Sequence, residues 1–365
     1  MIPTRAIVPP LPKKTTSPDP SREASNNTHF QIDPWSLAKT KLFPDIIQKW
    51  GTPAKHTAFE QKTTSSSPYS ESSTPHPTPP TPKPPVLLWH GFGGTANCFV
   101  CASHRSQNLP FHLLSEFDVW LANSRGPLYA DFESAGHRDF SIDEIVGYDI
   151  PAVVDHVLME TGVMQLNYIG ISQGTTTIFG ALAIHEELNA KIKCVIALAP
   201  TLKPCEDSIS DVVFPLYRHV GSLIPAEMYM QTTICLRCVP VALSSRIVGA
   251  ITEFGFKWDF GRLGSSERQA PLITHGYHGT SRSVVDHWLQ TIQCETSFSQ
   301  YKKSESSVFS HTVGNSEYRA VEKEPTTTNN VQRIPGYTHF EFLWATDAST
   351  KVFDPIIDLL QLHNQ

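Results

Sequence analysis

The chain of 365 residues is 40% hydrophobic and 10% aromatic, enough to bury one large core or two modest ones. Its formal net charge of -6 comes without a basic stripe, so the electrostatic footprint of a nucleic-acid binder is missing and no nucleic acid is expected as a partner. Seven cysteines are too few for a disulfide scaffold, and their odd number leaves at least one thiol unpaired within the chain.

Residues 1–33 are polar and broken by proline, as is the Pro/Ser/Thr-rich linker 62–85. Neither buries enough apolar surface to offset its ordering entropy. Between them, 34–61 is a short helix-containing segment, with Leu42, Ile46, Ile47 and Trp50 at helical spacing and Gly51 as a stop. The opening "MIPTRAIVPPLPKKTTSPDP" puts prolines where a signal peptide needs an unbroken apolar run, and no stretch reaches the ~18 apolar residues of a membrane span. The chain is therefore expected to lack a signal peptide and a transmembrane helix and to be intracellular.

The main domain runs from 86 to 365. "VLLWHGF" (86–92), "FDVWLAN" (117–123), "LNYIGIS" (166–172) and "CVIALAP" (194–200) are short, nearly continuous apolar runs, as strands buried on both faces should be. Before the third, Ser141 and Glu144 have capping-box spacing, Pro151 suits a first helical turn, and Ile150, Val153, Val154, Val157 and Leu158 line one face until Thr161-Gly162. Strand alternating with helix implies a doubly wound, mostly parallel α/β sheet. Residues 201–285 break the rhythm with amphipathic pieces, an insertion that reads as a helical cap over the sheet or as additional core helices. Cys98/Cys101 and Cys235/Cys238 have the C-x-x-C spacing of a zinc or redox pair, but both lie in apolar surroundings, where cysteine acts as a small hydrophobe.

Chemistry concentrates where the third run ends. Gly170-Ile171-Ser172-Gln173-Gly174 fits G-x-S-x-G, the strand-to-helix elbow that exposes a nucleophilic serine at the top of an α/β-hydrolase sheet. Ser and Gly are also ordinary turn residues, so the context decides: an apolar strand precedes and a helical pattern follows. Acyl transfer needs two donors for the tetrahedral oxyanion. One is the backbone N–H after the nucleophile, Gln173; the other should come from the glycine-rich "WHGFGG" (89–94), at Phe92. The base comes last in this fold, and His339 in "IPGYTHFEFLWATD" has that place. It follows a short possible strand, "VQRIPGY", and precedes an amphipathic helix carrying Val352, Phe353, Ile356, Ile357 and Leu360.

Taken together, "LLWHGF", "DVWLANSRG", "FSIDEIVGYDIPAVVDHVLMETG", "YIGISQGTT", "IKCVIALAP" and "HFEFLWATD" resemble the acid lipases, above all their fungal branch of steryl ester hydrolases and triacylglycerol lipases. The likeness covers roughly 86–301 and 333–362. It implies an α/β-hydrolase fold with a helical cap and hydrolysis of lipid esters through a serine acyl-enzyme. Ser172 would be the nucleophile, His339 the base, and Phe92 and Gln173 the oxyanion donors, with no metal or cofactor. The apolar faces of 201–285, together with the absence of a membrane span, suggest reversible docking at a lipid droplet or membrane surface.

Two departures stand out. The resembled family follows the "KWG" helix with a β-hairpin, where this chain is proline-rich. That family also carries an aspartate on a loop after a late strand, some tens of residues before the histidine, yet no aspartate lies between Asp286 and His339. Glu317, Glu322 and Glu324 lack a strand-like run ahead of them, and Asp207 or Asp211, after the fourth strand, would be a relocated acid. The simplest account is a lost segment. The alternative function is a lipase-like protein impaired in catalysis that binds lipid or a partner.

Overall fold

In a computed structural model, which describes residues 83–125, 140–202, 241–256, 258–276, 278–293, 301 and 331–364, the four apolar runs form strands. They are β1 (Pro85–Trp89), β2 (Asp118–Ala122), β3 (Leu166–Ile171) and β4 (Ile192–Leu198), all parallel in the order β2-β1-β3-β4. Residues 1–33, the helix-containing segment 34–61 and most of the linker lie outside the described residues.

Alternate side chains of each strand go to opposite faces, and both faces are covered. Val86, Leu88, Val119, Leu121, Ile169 and Ile171 enter one apolar cluster, with α1 (Leu109–Leu113) and the C-terminal helix α7 (Asp354–Asn364) packed on it. Leu87, Trp89, Trp120, Ala122, Leu166 and Tyr168 enter the other, covered by α2 (Ile150–Thr161) and α3 (Gln173–Ile184). Fully burying one such side chain contributes about 1.5–3 kcal/mol, so the two-sided apolar code of the strands itself specifies the layering.

The expected capping box is present: Ser141 N–H donates to Glu144 at 2.6 Å, and Asp143 N–H donates to the Ser141 hydroxyl at 3.1 Å. A π-helical turn, Ile145–Asp149, leads into α2, which ends at Gly162 in the left-handed region (φ 69°). After β4 the described chain resumes with α4 (Val241–Phe256), α5 (Ser266–Gly276) and α6 (Arg282–Gln293). In the segment 201–285, Val248, Phe260, Leu263, Leu272 and Ile273 join the same cluster as β1 and β3.

One expected element is absent. Residues 331–337, read as a short possible strand, form no strand. Pro335 offers no N–H for a ladder, and Gly336 sits at φ 79°, which turns the chain.

Candidate active site

The connection leaving β1 runs to β2 through α1 on one face of the sheet, and that leaving β3 runs to β4 through α3 on the other. Loops that depart in opposite directions open a crevice at the carboxyl ends of the two central strands, where ligands of open α/β sheets bind. The "HGFGG" loop after β1 and Ser172 after β3 both lie at this switch point.

Ser172 occupies φ 54°, ψ -121°, a conformation costly to any residue with a Cβ. The surroundings hold it there. Its N–H donates to the Leu198 carbonyl of β4 at 3.0 Å, and its own carbonyl accepts from the Thr175 N–H at 2.8 Å and the Thr175 hydroxyl at 2.6 Å. The flanking glycines are steric requirements: a Cβ on Gly170 would lie 2.7 Å from the Gly174 carbonyl oxygen, and one on Gly174 would lie 2.6 Å from that of Trp89. A Cβ on Gly91 would lie 3.1 Å from Ser172 Cβ, so the loop after β1 touches the elbow directly.

That loop is pinned from several sides. Gly94 N–H closes a turn on the Gly91 carbonyl at 3.1 Å, with Phe92 exposed at its tip. The His278 and Gly279 N–H groups donate to the Gly93 carbonyl at 2.7 and 3.2 Å. His90 Nε2 accepts from the Ser124 N–H at 3.0 Å, which leaves Nδ1 as the protonated nitrogen, donating to the Gly91 carbonyl at 2.8 Å. Burial lowers the pKa of His90 to about 4, so the ring stays neutral and this tautomer persists. Asp149, fully buried, takes the Arg125 guanidinium at 2.6 and 2.8 Å and the Arg125 N–H at 3.0 Å, which fixes the chain beyond β2.

Gln173 begins α3, where an N–H has no helical carbonyl to reach. Its buried side chain accepts from Trp288 Nε1 at 2.7 Å, so α6 steadies the first turn after Ser172. A small cavity beside Gln173 is lined by His90, Gly94, Asn123, Ser124, Arg125 and His278.

His339 lies buried at the start of the C-terminal segment, and burial lowers its pKa to about 4. Its neutral, proton-accepting form therefore persists down to about that pH. Among the described residues, no carboxylate bonds its ring. Glu341 is buried against it but bonds the main chain, accepting from the His339 N–H at 2.9 Å and the Thr338 N–H at 3.1 Å. The face of the ring is covered by Trp258.

The chain matches the family model described as alpha/beta hydrolase fold over residues 84–223. It is 29% identical over 325 residues to a probable lipase of Schizosaccharomyces pombe, covering 76% of this chain and 71% of that one. Human gastric triacylglycerol lipase is 28% identical over 323 residues, 76% of this chain and 80% of its own. The chain has the α/β-hydrolase fold and is similar to these lipases.

As such it is a lipase-type hydrolase of esters, in the fold read from the strand and helix pattern. A tear acid lipase-like protein of Mesocricetus auratus is 41% identical over 138 residues, 35% of this chain and 34% of its own. The structure places three residues named from sequence, Ser172, Gln173 and Phe92, at the ends of β3 and β1 and leaves His339 on a separate, buried turn before α7. In this hydrolase Asp207, Asp211, Glu317, Glu322 and Glu324 lie outside the described residues, as do Cys235 and Cys238. Cys98 and Cys101 are buried free thiols, with Cys101 Sγ donating to the Cys98 carbonyl at 3.7 Å, and burial raises both pKa values. No group of side chains able to hold a metal occurs among the described residues, and no described helix is long and apolar enough to cross a membrane.

Sequence reasoning did not single out the side chains of His90, Trp258, Glu341 and Trp288. His90 had a signal, since the loop motif begins with it. Trp258, distant in sequence from every motif, had none.

Proposed function

We propose that Ser172 is the nucleophile and His339 the general base of a lipase that acts on steryl esters or triacylglycerols. The Phe92 and Gln173 N–H groups serve as the oxyanion donors. The observation that carries this reading is the elbow: a serine at φ 54° between two glycines that admit no side chain, with the "HGFGG" loop against its Cβ. Such strain persists only where the surroundings enforce it, and it points the hydroxyl out of the carboxyl edge of the sheet.

His339 takes the Ser172 proton as Oγ attacks the ester carbonyl, and the two N–H groups receive the negative oxygen of the tetrahedral intermediate. The imidazolium returns the proton to the leaving alcohol, and water, activated by the same imidazole, then clears the acyl-enzyme as a carboxylic acid. A fluorophosphonate probe tests the reading, because only an activated serine reacts quickly. One equivalent should couple to the peptide carrying Ser172, and labelling should slow sharply in His339→Ala. Slow labelling scattered over several serines would reject it.

The lipid character of the substrate follows from the relatives named lipases, among them a triacylglycerol lipase. We further propose reversible docking at a lipid droplet or membrane surface through the amphipathic segment 201–285, of which α4 exposes Leu243 and Ile247 one turn apart. The rate per substrate molecule should rise once a short-chain ester passes its aggregation point. An unchanged rate across that point would identify an esterase for dissolved substrates.

A further inference from the structure

We propose that Trp258 is a positioning residue for the base, holding the plane of the His339 imidazole from its face. The inference rests on the reading of His339 as the base. The two rings are stacked with centroids 3.8 Å apart and planes 2° from parallel. The torsion that spins an imidazole about its Cβ–Cγ bond is broad and roughly two-fold, so the side chain's own rotamers do not fix the plane. In a Ser-His-Asp triad the acid fixes it through a bond to Nδ1 and stabilises the imidazolium formed during reaction. Among the described residues no carboxylate reaches this ring, and an indole against its face supplies part of each need in another way, without the bond to Nδ1. Rotation would drive the imidazole edge into the indole, and the indole face attracts the cation that forms when the ring takes the serine proton.

The remaining contacts make this geometry a device and not incidental packing. Trp258 is half-buried and belongs to neither apolar cluster of the sheet. Phe340 stands edge-on to both rings, 5.0 Å from Trp258 at 84° and 5.6 Å from His339 at 82°, which blocks sliding. The backbones carrying the two rings are tied together. Asp259 N–H donates to the Thr338 hydroxyl at 3.3 Å, and Glu341, through the Thr338 and His339 N–H groups, fixes the turn on the other side. Ring and main chain of His339 are thus held by two different segments of the fold.

The test is steady-state kinetics of the full chain on a dissolved p-nitrophenyl ester, comparing Trp258→Phe, Trp258→Leu and His339→Ala. Trp258→Leu keeps apolar volume but removes the flat π face. Its kcat should fall about 10- to 100-fold with KM unchanged, as expected when a reacting group is displaced by a fraction of an ångström to an ångström. Trp258→Phe should recover most of that loss. Wild-type kcat in Trp258→Leu, or equal loss in the Phe and Leu variants, would overturn the proposal, as would a lower melting temperature with kcat intact. Where the leucine chain does not fold, Trp258→Met takes its place with the same expected result. Wild-type turnover in His339→Ala would reject the base itself and the proposal with it. An inactive His339→Ala beside an unaffected Trp258→Leu would reject Trp258 alone.

Discussion

Replacing Ser172 by alanine is expected to abolish hydrolysis of a p-nitrophenyl acyl ester while leaving the fold in place. Loss of the nucleophile in a comparable serine hydrolase mechanism lowers turnover by about six orders of magnitude, to the residual rate that the oxyanion donors and binding alone support. The stability change should be no more than about 1 kcal/mol. Ser172 is only half-buried, and the bonds that hold the elbow run through its main chain and survive the substitution. Matching melting curves with vanished activity, measured on purified protein, is the expected result. Retained activity in the alanine variant would remove the whole assignment, because no other residue of the elbow offers a nucleophile.

The second large effect concerns the acid. In serine proteases, neutralising the aspartate that orients the base costs about four orders of magnitude in turnover, although nucleophile, base and oxyanion hole persist. The present chain has no aspartate between Asp286 and His339, and the buried carboxylate of Glu341, two residues after His339, spends its oxygens on backbone N–H groups and the Thr338 hydroxyl. It is therefore expected to turn over about 10³ to 10⁵ times more slowly than a form given a strand and an aspartate ahead of His339. The same insertion should improve solubility. β4 is one of the two outer strands among the described residues and its central residues are only half-buried, so a strand added beside it would cover an edge that otherwise invites association. Full activity and a monodisperse sample from the chain as it stands would reverse this expectation. Singly replacing Glu317, Glu322, Glu324, Asp207 and Asp211 by their amides would then identify the substitute acid.

These two experiments draw on different kinds of information. Strand positions, the elbow and the capping box were legible because their causes are local. Continuous apolar runs announce strands buried on both faces, Glu144 accepts from the Ser141 N–H while Ser141 accepts from the Asp143 N–H within one turn, and the glycines beside Ser172 answer to carbonyl oxygens whose approach any strand-to-helix elbow imposes. The run "VQRIPGY" misled because its apolar content suggested a strand, while proline and a left-handed glycine removed the ladder.

By itself, then, the sequence determined the parallel α/β class and the strand-to-helix elbow at Ser172, since each follows from side-chain periodicity or from sterics within a few residues. Only the tertiary structure decided what surrounds them. That β1 and β3 lie side by side with their connections on opposite faces is a property of strand order, which no single strand encodes. That His90 is held neutral between Gly91 and Ser124, and that Trp258 lies flat on His339 across 81 positions of chain, depends on burial and on contacts between distant segments. Desolvation and ring stacking arise only when the chain has closed around those groups, so they leave no periodic trace in the order of residues.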